Sequence, residues 1–437
     1  MTMGPPFHGP NPNPNPTRHM TATSKRLGIG IIGGGFVGQF HIRSFVGVRD
    51  ADVLGITSRS ASTAREAAAL ARSLDVGEAR PFGSITEMVA APDIDAVWIC
   101  APNFTRLDVM EELVHALESG KGELVGVACE KPLGRNAAEA RTMYELVEKA
   151  GVLDGYLENQ IFSPGVTRGK EILWARGAAT TGPPFLARAA EEHSGPHMPW
   201  FWEGELQGGG VLNDMMCHSV EVARHLLTPP GAPREALTPV KVTAQTSCLK
   251  WQDPRYADIL SERSGGTLDY RNRPAEDYAR ALVEYRDAEG DVKIVEATTS
   301  WCFVGAGLRL SMELLGPEYS LSLSSLDAGP RVFFSREVKG EAGEDLVEKQ
   351  NAEVGLMPVV SDEESEYGYV GENRHMVRAF RAGKRPAETF ADGVAVAELL
   401  MAAYMSAEKD AAVPFPPPNL DTFVPAVARG EWNPREE

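Results

Sequence analysis

The sequence predicts a two-part α/β chain: an N-terminal doubly wound parallel sheet, then an α+β domain with a large open antiparallel sheet. Three observations predict it. A compact β-branched run, Ile29 to Ile32, passes straight into glycines and a helix-like pattern. Strand-like and helix-like stretches then alternate five times in about 130 residues, the pattern of a parallel sheet with crossover helices. From about Phe162 the texture changes to long runs of period two, as in half-buried antiparallel strands.

The first strand enters Gly33-Gly34-Gly35-Phe36-Val37-Gly38, a G-x-G-x-x-G. Gly33 permits the tight turn, Gly35 lets backbone approach a pyrophosphate, and Gly38 lets the helix pack on the strand. Phe36 and Val37 open a helix reaching Val46, whose free N–H groups and positive dipole end suit phosphates. In a chain with 43 glycines such a motif also arises as a plain Gly-rich turn. Strand before, helix after and a second strand about twenty residues on point instead to a dinucleotide. That second strand, Val53 to Thr57, ends at Ser58-Arg59, where an NAD site usually has Asp or Glu for the ribose. A hydroxyl and a guanidinium suit a 2′-phosphate, which favours NADP over NAD; alternatively Arg59 stacks on adenine or faces water.

The rest of the unit follows in order. A helix (Ala61 to Ser73) leads to a strand, Ile94 to Cys100, closed by Ala101-Pro102-Asn103. A helix (Thr105 to Glu118) leads to a strand from Leu124 to Cys129, ending on Glu130-Lys131-Pro132. Pro132 keeps Lys131 out of the helical region and stops the strand. Helix Ala137 to Ala150 and strand Val152 to Leu157 complete the sheet. Ligands in such sheets bind beyond the carboxyl ends of the strands, and Gly33, Ser58, Asn103 and Lys131 all fall at such ends.

Beyond Phe162, the period-two runs are Val240 to Cys248, Ala281 to Arg286, Asp291 to Trp301, Leu308 to Leu314 and Tyr319 to Leu323. Short turn-like joins at Asp287 to Gly290 and Leu315 to Glu318 make them hairpins, and one wide sheet with an exposed face is a surface for self-association. The acidic stretch Glu341 to Glu372 reads as a surface loop, and Glu372 to Phe380 and Asp392 to Ala407 as closing helices. Val413-Pro414-Phe415-Pro416-Pro417-Pro418 opens a tail over the surface. The division expected is a disordered leader at 1–23, a cofactor domain at 24–160, a substrate and oligomerisation domain at 161–412, and a tail at 413–437.

Composition narrows the partners. The 437 residues carry a net charge of −18, which disfavours nucleic acid or an acidic membrane surface. Five scattered cysteines without a C-x-x-C argue against disulfides and structural zinc, and for a reducing, cytoplasmic setting. No apolar run reaches the ~18 residues of a membrane span, and the Asn-Pro-rich leader lacks the apolar region of a signal peptide.

Chemistry concentrates in GGGVLNDMMCHSVEVARHLL, Gly208 to Leu227. Asp214, His218 and Glu221 fall on one face of a helix, where a carboxylate one turn from an imidazole can raise its basicity or share a ligand hydroxyl. The alternative is an amphipathic helix whose Asp and His bond each other at the surface. Lys131 is either a solvated partner of Glu130 or, at the cofactor edge, a catalytic ammonium. Cofactor, lysine and Asp/His face together suggest hydride transfer from an alcohol. A metal held by Asp214, His218 and Cys217 or Glu130 is disfavoured, because Cys217 points away from that face. The stretch Glu191 to Trp202 brings His193, His197, Trp200 and Trp202 to the pocket, where indoles stack on sugar rings and imidazoles reach hydroxyls. It serves equally well as a cluster packing the two domains together.

With the glycine turn, the motifs Ala101-Pro102-Asn103, Glu130-Lys131-Pro132 and GGGVLNDMMCH resemble the signature set of the Gfo/Idh/MocA family, over roughly Lys25 to Pro416. The resemblance implies a Rossmann domain, then an α/β domain whose open sheet assembles homodimers or homotetramers. It implies Lys131 at the nicotinamide and substrate hydroxyl, Asp214 holding the sugar, and His218 as general base. Ala101, Pro102, Asn103 and Glu130 join the cofactor set. Three positions depart from the common pattern: Arg106 for a histidine, Gln160-Ile161-Phe162 for an Arg-Phe pair, with Gln160 facing substrate, and Glu221 for Asp. They bear on substrate orientation rather than on reaction class. The expectation is an NAD(P)-dependent dehydrogenase of a sugar, inositol or glycoside. Its rivals are a glycoside-cleaving enzyme that recycles bound NAD, and a non-catalytic cofactor-binding regulator.

Overall fold

The computed structural model describes residues 26–305, 307–326, 331–334, 355–358 and 362–434. The expected leader lies outside them, as do residues 341–354 and 359–361 of the acidic stretch. Six strands form the first sheet: β1 (Leu27–Ile32), β2 (Ala51–Thr57), β3 (Arg80–Phe82), β4 (Ala96–Ile99), β5 (Gly126–Glu130) and β6 (Leu153–Leu157). They are all parallel, in the order β3-β2-β1-β4-β5-β6. β1, β4 and β5 are buried along their whole length, so they run apolar without alternation. The winding reverses between β1 and β4, which leaves a crevice beyond their carboxyl ends. The sequence reading passes over β3 and the helix Ile85–Val89 behind it, because Arg80-Pro81-Phe82 is short and mostly exposed, with no apolar run to see.

The second sheet holds β7 (Leu186–Glu192), β8 (Thr238–Ser247), β9 (Tyr278–Arg286), β10 (Val292–Ser300), β11 (Arg309–Gly316) and β12 (Tyr319–Ser324). A separate ribbon pairs β13 (Arg331–Phe334) with β14 (Gly355–Pro358). The order in the large sheet is β12-β11-β7-β10-β9-β8-β15, where β15 is Val413–Pro414 at the edge, a place proline tolerates. The sheet is mixed rather than purely antiparallel, since β7 and β10 run parallel. β7 has the sequence LARAAEE, whose alanines and charges carry little strand propensity, and the sequence reading misses it.

Helix Val211–Leu227 is buried at all but one of its residues and packs on β7 and β10. Helix Phe390–Lys409 packs on β8 and on helix Ala137–Ala150, tying the two parts together. It is long and apolar enough by composition to cross a membrane, although Asp392 and Glu398 interrupt its apolar run, and 72% of its apolar window is buried. Helix Tyr369–Arg381 starts inside the expected acidic loop, after a short turn of helix at Glu363–Glu366. Its Met376, Val377 and Phe380 join the core behind the first sheet, so a C-terminal element completes the N-terminal layer.

Candidate active site

The glycine turn is built for a close approach. Gly33 has φ +106°, and a Cβ there would lie 2.8 Å from the Cys100–Ala101 backbone. A Cβ on Gly38 would lie 2.0 Å from the Gly33 carbonyl oxygen, so only glycine lets the helix meet the strand. A Cβ on Gly35 meets nothing within 4 Å, and Gly35 and Phe36 are exposed: this is where backbone faces an incoming phosphate. Helix Phe36–Ser44 begins there with no side-chain cap, which leaves its first N–H groups for an anion. Ser58 and exposed Arg59 follow the end of β2, and Ala101 and Pro102 follow β4 on the same edge. The residues present therefore fit a dinucleotide.

Two of the expected cofactor residues are committed elsewhere. Asn103 is buried, and its Nδ2 donates to Oε1 (2.9 Å) and to the backbone oxygen (3.2 Å) of Gln207. It links the first sheet to the turn before Gly208. Glu130 accepts from His41 Nε2 at 2.8 Å and from the Lys131 N–H at 3.0 Å. Burial opposes its charge, yet the His41 hydrogen bond and the cations around it hold its carboxyl below the usual range. The carboxylate thus anchors the strand end from behind. Arg106 reinforces that anchor: its Nε donates to Ala101 O, and one terminal nitrogen to Glu130 O and Pro132 O.

Across the crevice, helix Val211–Leu227 brings its polar face to Lys131. The Lys131 ammonium donates to the backbone oxygen of Asp214 at 3.0 Å and lies 3.8 Å from Asp214 Oδ1. Burial works against its charge, but the acidic groups around it outweigh that and raise its pKa overall, so it stays an ammonium. Cys217 is therefore near Lys131 rather than turned away; its Sγ donates to Asp214 O, and burial pushes the thiol well up. Among the described residues no three His, Cys, Asp or Glu side chains converge as metal ligands.

His218 does not bond Asp214. Its Nδ1 lies 2.7 and 2.8 Å from the two oxygens of Glu158, just past the end of β6, and its Nε2 lies 3.9 Å from Glu191 Oε2 on β7. Gln160 donates to that same Glu191 oxygen at 2.8 Å. Asp214 instead accepts from the indole of Trp301 at 3.3 Å. Glu221, expected on the same face, lies two turns on, about 10 Å along the axis. It is claimed there by Arg224 (2.8 Å) and Arg234 (2.8 Å).

The aromatic stretch divides. Trp202 packs into a buried aromatic cluster: it is 3% exposed, lies against Trp251, Tyr270 and Trp301, and donates to Pro196 O. His193 is fully buried, its Nδ1 accepting from Gly195 N. Trp200 and His197 do face the first domain, with rings 5.7 Å from Phe104 and 6.0 Å from Phe36 respectively. Sequence reasoning misses Glu158 and Trp301; Glu158 follows a parallel strand's carboxyl end, the same signal that marks Lys131.

Comparisons with known proteins agree with this architecture. Residues 27–156 match the model of an oxidoreductase family with an NAD-binding Rossmann fold, and residues 178–322 match the GFO/IDH/MocA C-terminal domain. The levoglucosan dehydrogenase of Pseudarthrobacter phenanthrenivorans is 26% identical over 313 residues, 68% of this chain and 73% of that protein. The inositol 2-dehydrogenase of Rhizobium meliloti is 28% identical over 226 residues, 50% of this chain and 58% of that protein. Among solved structures, GenD2 from gentamicin A biosynthesis, in complex with NAD, superposes with a TM-score of 0.70 at 25% identity, covering 91% of this chain and 99% of that one. This chain belongs to the Gfo/Idh/MocA family of oxidoreductases, with an NAD-binding Rossmann domain ahead of the family's C-terminal domain.

Proposed function

We propose that the chain catalyses hydride transfer between NAD(P) and a secondary hydroxyl of a sugar, inositol or glycoside. The observation that carries this reading is the meeting of Lys131, from the edge of the parallel sheet, with Asp214 on the helix facing it, where His218 lies one turn on and feels the Lys131 charge. A bound nicotinamide supplies the carbon that accepts or releases hydride. Lys131 remains an ammonium and favours the alkoxide form of the reacting hydroxyl. His218 exchanges that hydroxyl's proton through Nε2, because Nδ1 is held by Glu158. Asp214, fixed by Trp301, accepts from a neighbouring hydroxyl and orients the ring, and Gln160 borders the same space. Trp200 and His197 lie where they can cover the cofactor.

The cofactor seat comprises Gly33, Gly35, Phe36, Val37, Gly38, Ser58, Arg59, Ala101, Pro102 and Lys131, with Asn103 and Glu130 positioning it from behind. Ser58 and Arg59 favour NADP within it. The outer face of the large sheet, where Arg188 pairs with Glu296 and Glu313, is the surface for a homodimer or homotetramer. Five free cysteines suit a reducing cytoplasm. Screening sugars, inositols and glycosides with NAD and NADP, reading reduced nicotinamide, tests the function. No turnover on any of them, with cofactor bound, overturns it. Release of a sugar without net cofactor reduction selects glycoside cleavage.

A further inference from the structure

His218 has a buried carboxylate beside each of its nitrogens. Glu158 takes Nδ1 at 2.7 and 2.8 Å, and Glu191 Oε2 lies 3.9 Å from Nε2. Glu158 is 0%, His218 3% and Glu191 6% exposed, so water screens these contacts little. A base that must accept a proton works best when it rests neutral, and one acceptor on Nδ1 is enough to set the tautomer. The second carboxylate therefore has a different consequence.

We propose that Glu158 and Glu191 are positioning residues that hold the resting His218 as an imidazolium, presetting the site to reduce a keto-sugar or inosose rather than to oxidise the alcohol. This rests on the reading of His218 as the acid–base group. In the reductive direction the carbonyl carbon gains the hydride of the reduced nicotinamide and the carbonyl oxygen gains the proton of Nε2. An alcohol, the oxidised cofactor and a neutral imidazole remain. Oxidation has to strip that proton from His218 first.

Other groups facing this cluster do not reverse the balance. Lys131, at the end of β5, repels the imidazolium, while Asp214 lies one turn back on the same helix. Glu372, on helix Tyr369–Arg381, is fully buried with neither oxygen hydrogen-bonded. Burial and the charges of Glu130 and Glu158 push its carboxyl well up, which disfavours its adding a further negative charge to the cluster. For His218 itself, burial and Lys131 pull the pKa down, but Glu158 and Glu191 outweigh them and it ends above its ordinary value.

Nitrogen NMR of the histidine-labelled full chain, without substrate and assigned with H218N, tests the proposal independently of turnover. The imidazolium of His218 is expected to persist above about pH 6.5. E158Q should lower its midpoint by about one pH unit or more, the scale of losing a close buried counter-charge, with E158D recovering part and E191Q giving a smaller fall. A midpoint at or below about 6.5 in the parent overturns the proposal, as does one unmoved by either Gln variant. With an active keto-substrate, the reduction rate should hold through neutral pH and fall above the same midpoint, and E158Q should move that limb. A Glu158 that only supported the fold would lower the rate without moving it. Absence of turnover on every sugar defeats the proposed function and leaves the NMR outcome decisive for His218.

Discussion

The imidazole Nδ1 of His218 lies 2.7 Å from Oε1 of Glu158, a residue 60 positions away on another element, and both side chains are buried. The dyad occupies Nδ1, so in the proposed reaction the proton passes through Nε2, which lies 3.9 Å from Glu191 Oε2. His218→Ala and Lys131→Ala should each lower turnover by at least ~10²-fold, the usual scale for lost acid–base help. Cofactor affinity, read by reduced-nicotinamide fluorescence, should survive His218→Ala. Turnover near the parent's in either folded variant would remove both residues from the mechanism.

Two tryptophans with different jobs can be separated. Trp301→Phe keeps an aromatic ring in the cluster but deletes the N–H to Asp214 and part of the indole's volume. It should lower the urea midpoint less than Trp202→Ala does and lower kcat/KM about tenfold or more, since one hydrogen bond to a charged group is worth about 1.5–3 kcal/mol. Trp202→Ala opens a cavity among Trp251, Tyr270 and Trp301, and should cost about 3–5 kcal/mol of stability. If Trp202→Ala instead raised KM alone on an unchanged fold, Trp202 would line the pocket after all.

The glycine turn gives a matched pair. Gly38→Ala drives a methyl into the Gly33 carbonyl, so it should destabilise the first domain and lower the thermal midpoint. Gly35→Ala meets no protein atom, so the midpoint of the cofactor-free chain should stay put while dinucleotide affinity drops about tenfold or more. Calorimetric melting alongside cofactor titration reads both, and equal cofactor affinity in Gly35→Ala would mean the phosphates lie elsewhere.

How much of the fold and site is legible in the sequence follows from what periodicity and strand ends can encode. The parallel sheet can be read because β1, β4 and β5 are buried on both faces and therefore continuously apolar. Lys131 can be read because a proline fixes it at a strand end. β7 cannot, since its core positions are Ala187, Ala189 and Glu191, and alanine signals neither strand nor burial. The Asp214–His218 spacing correctly puts both on one face, but spacing along a helix says nothing about what stands opposite. Glu158 and Trp301 fill those opposite places from just past the ends of β6 and β10. Chemistry alone assigns Trp202 to the pocket, whereas its place is decided by Trp251 and Tyr270, whose approach depends on the whole second domain.

The turn that delivers the site helix depends on a buried acid, and this fixes a pH dependence of stability. Glu276 Oε1 accepts from Gly210 N at 2.8 Å, from Leu212 N at 3.2 Å and from the Tyr404 hydroxyl. Burial nevertheless dominates those donors and raises its pKa from 4.5 to about 7. Between these values the folded chain binds the proton and the unfolded chain releases it, so stability falls as pH rises. The contribution is fully present below the unfolded value of 4.5 and is lost as pH climbs through about 7. Its size is on the order of 3 kcal/mol, since a tenfold change in proton affinity carries about 1.4 kcal/mol. Asp154, raised by burial to about 6 where it accepts from Phe390 N, adds to the same slope. Urea midpoints of the parent should therefore decrease from about pH 5 to about pH 8. Glu276→Gln, neutral throughout, should remove Glu276's share of that decrease and leave the part due to Asp154 and to Glu372 and Glu388, whose buried carboxyls are also held well up. An undiminished slope in Glu276→Gln would mean that Glu276 is already ionised at about pH 5 and that the site turn is held by a carboxylate instead.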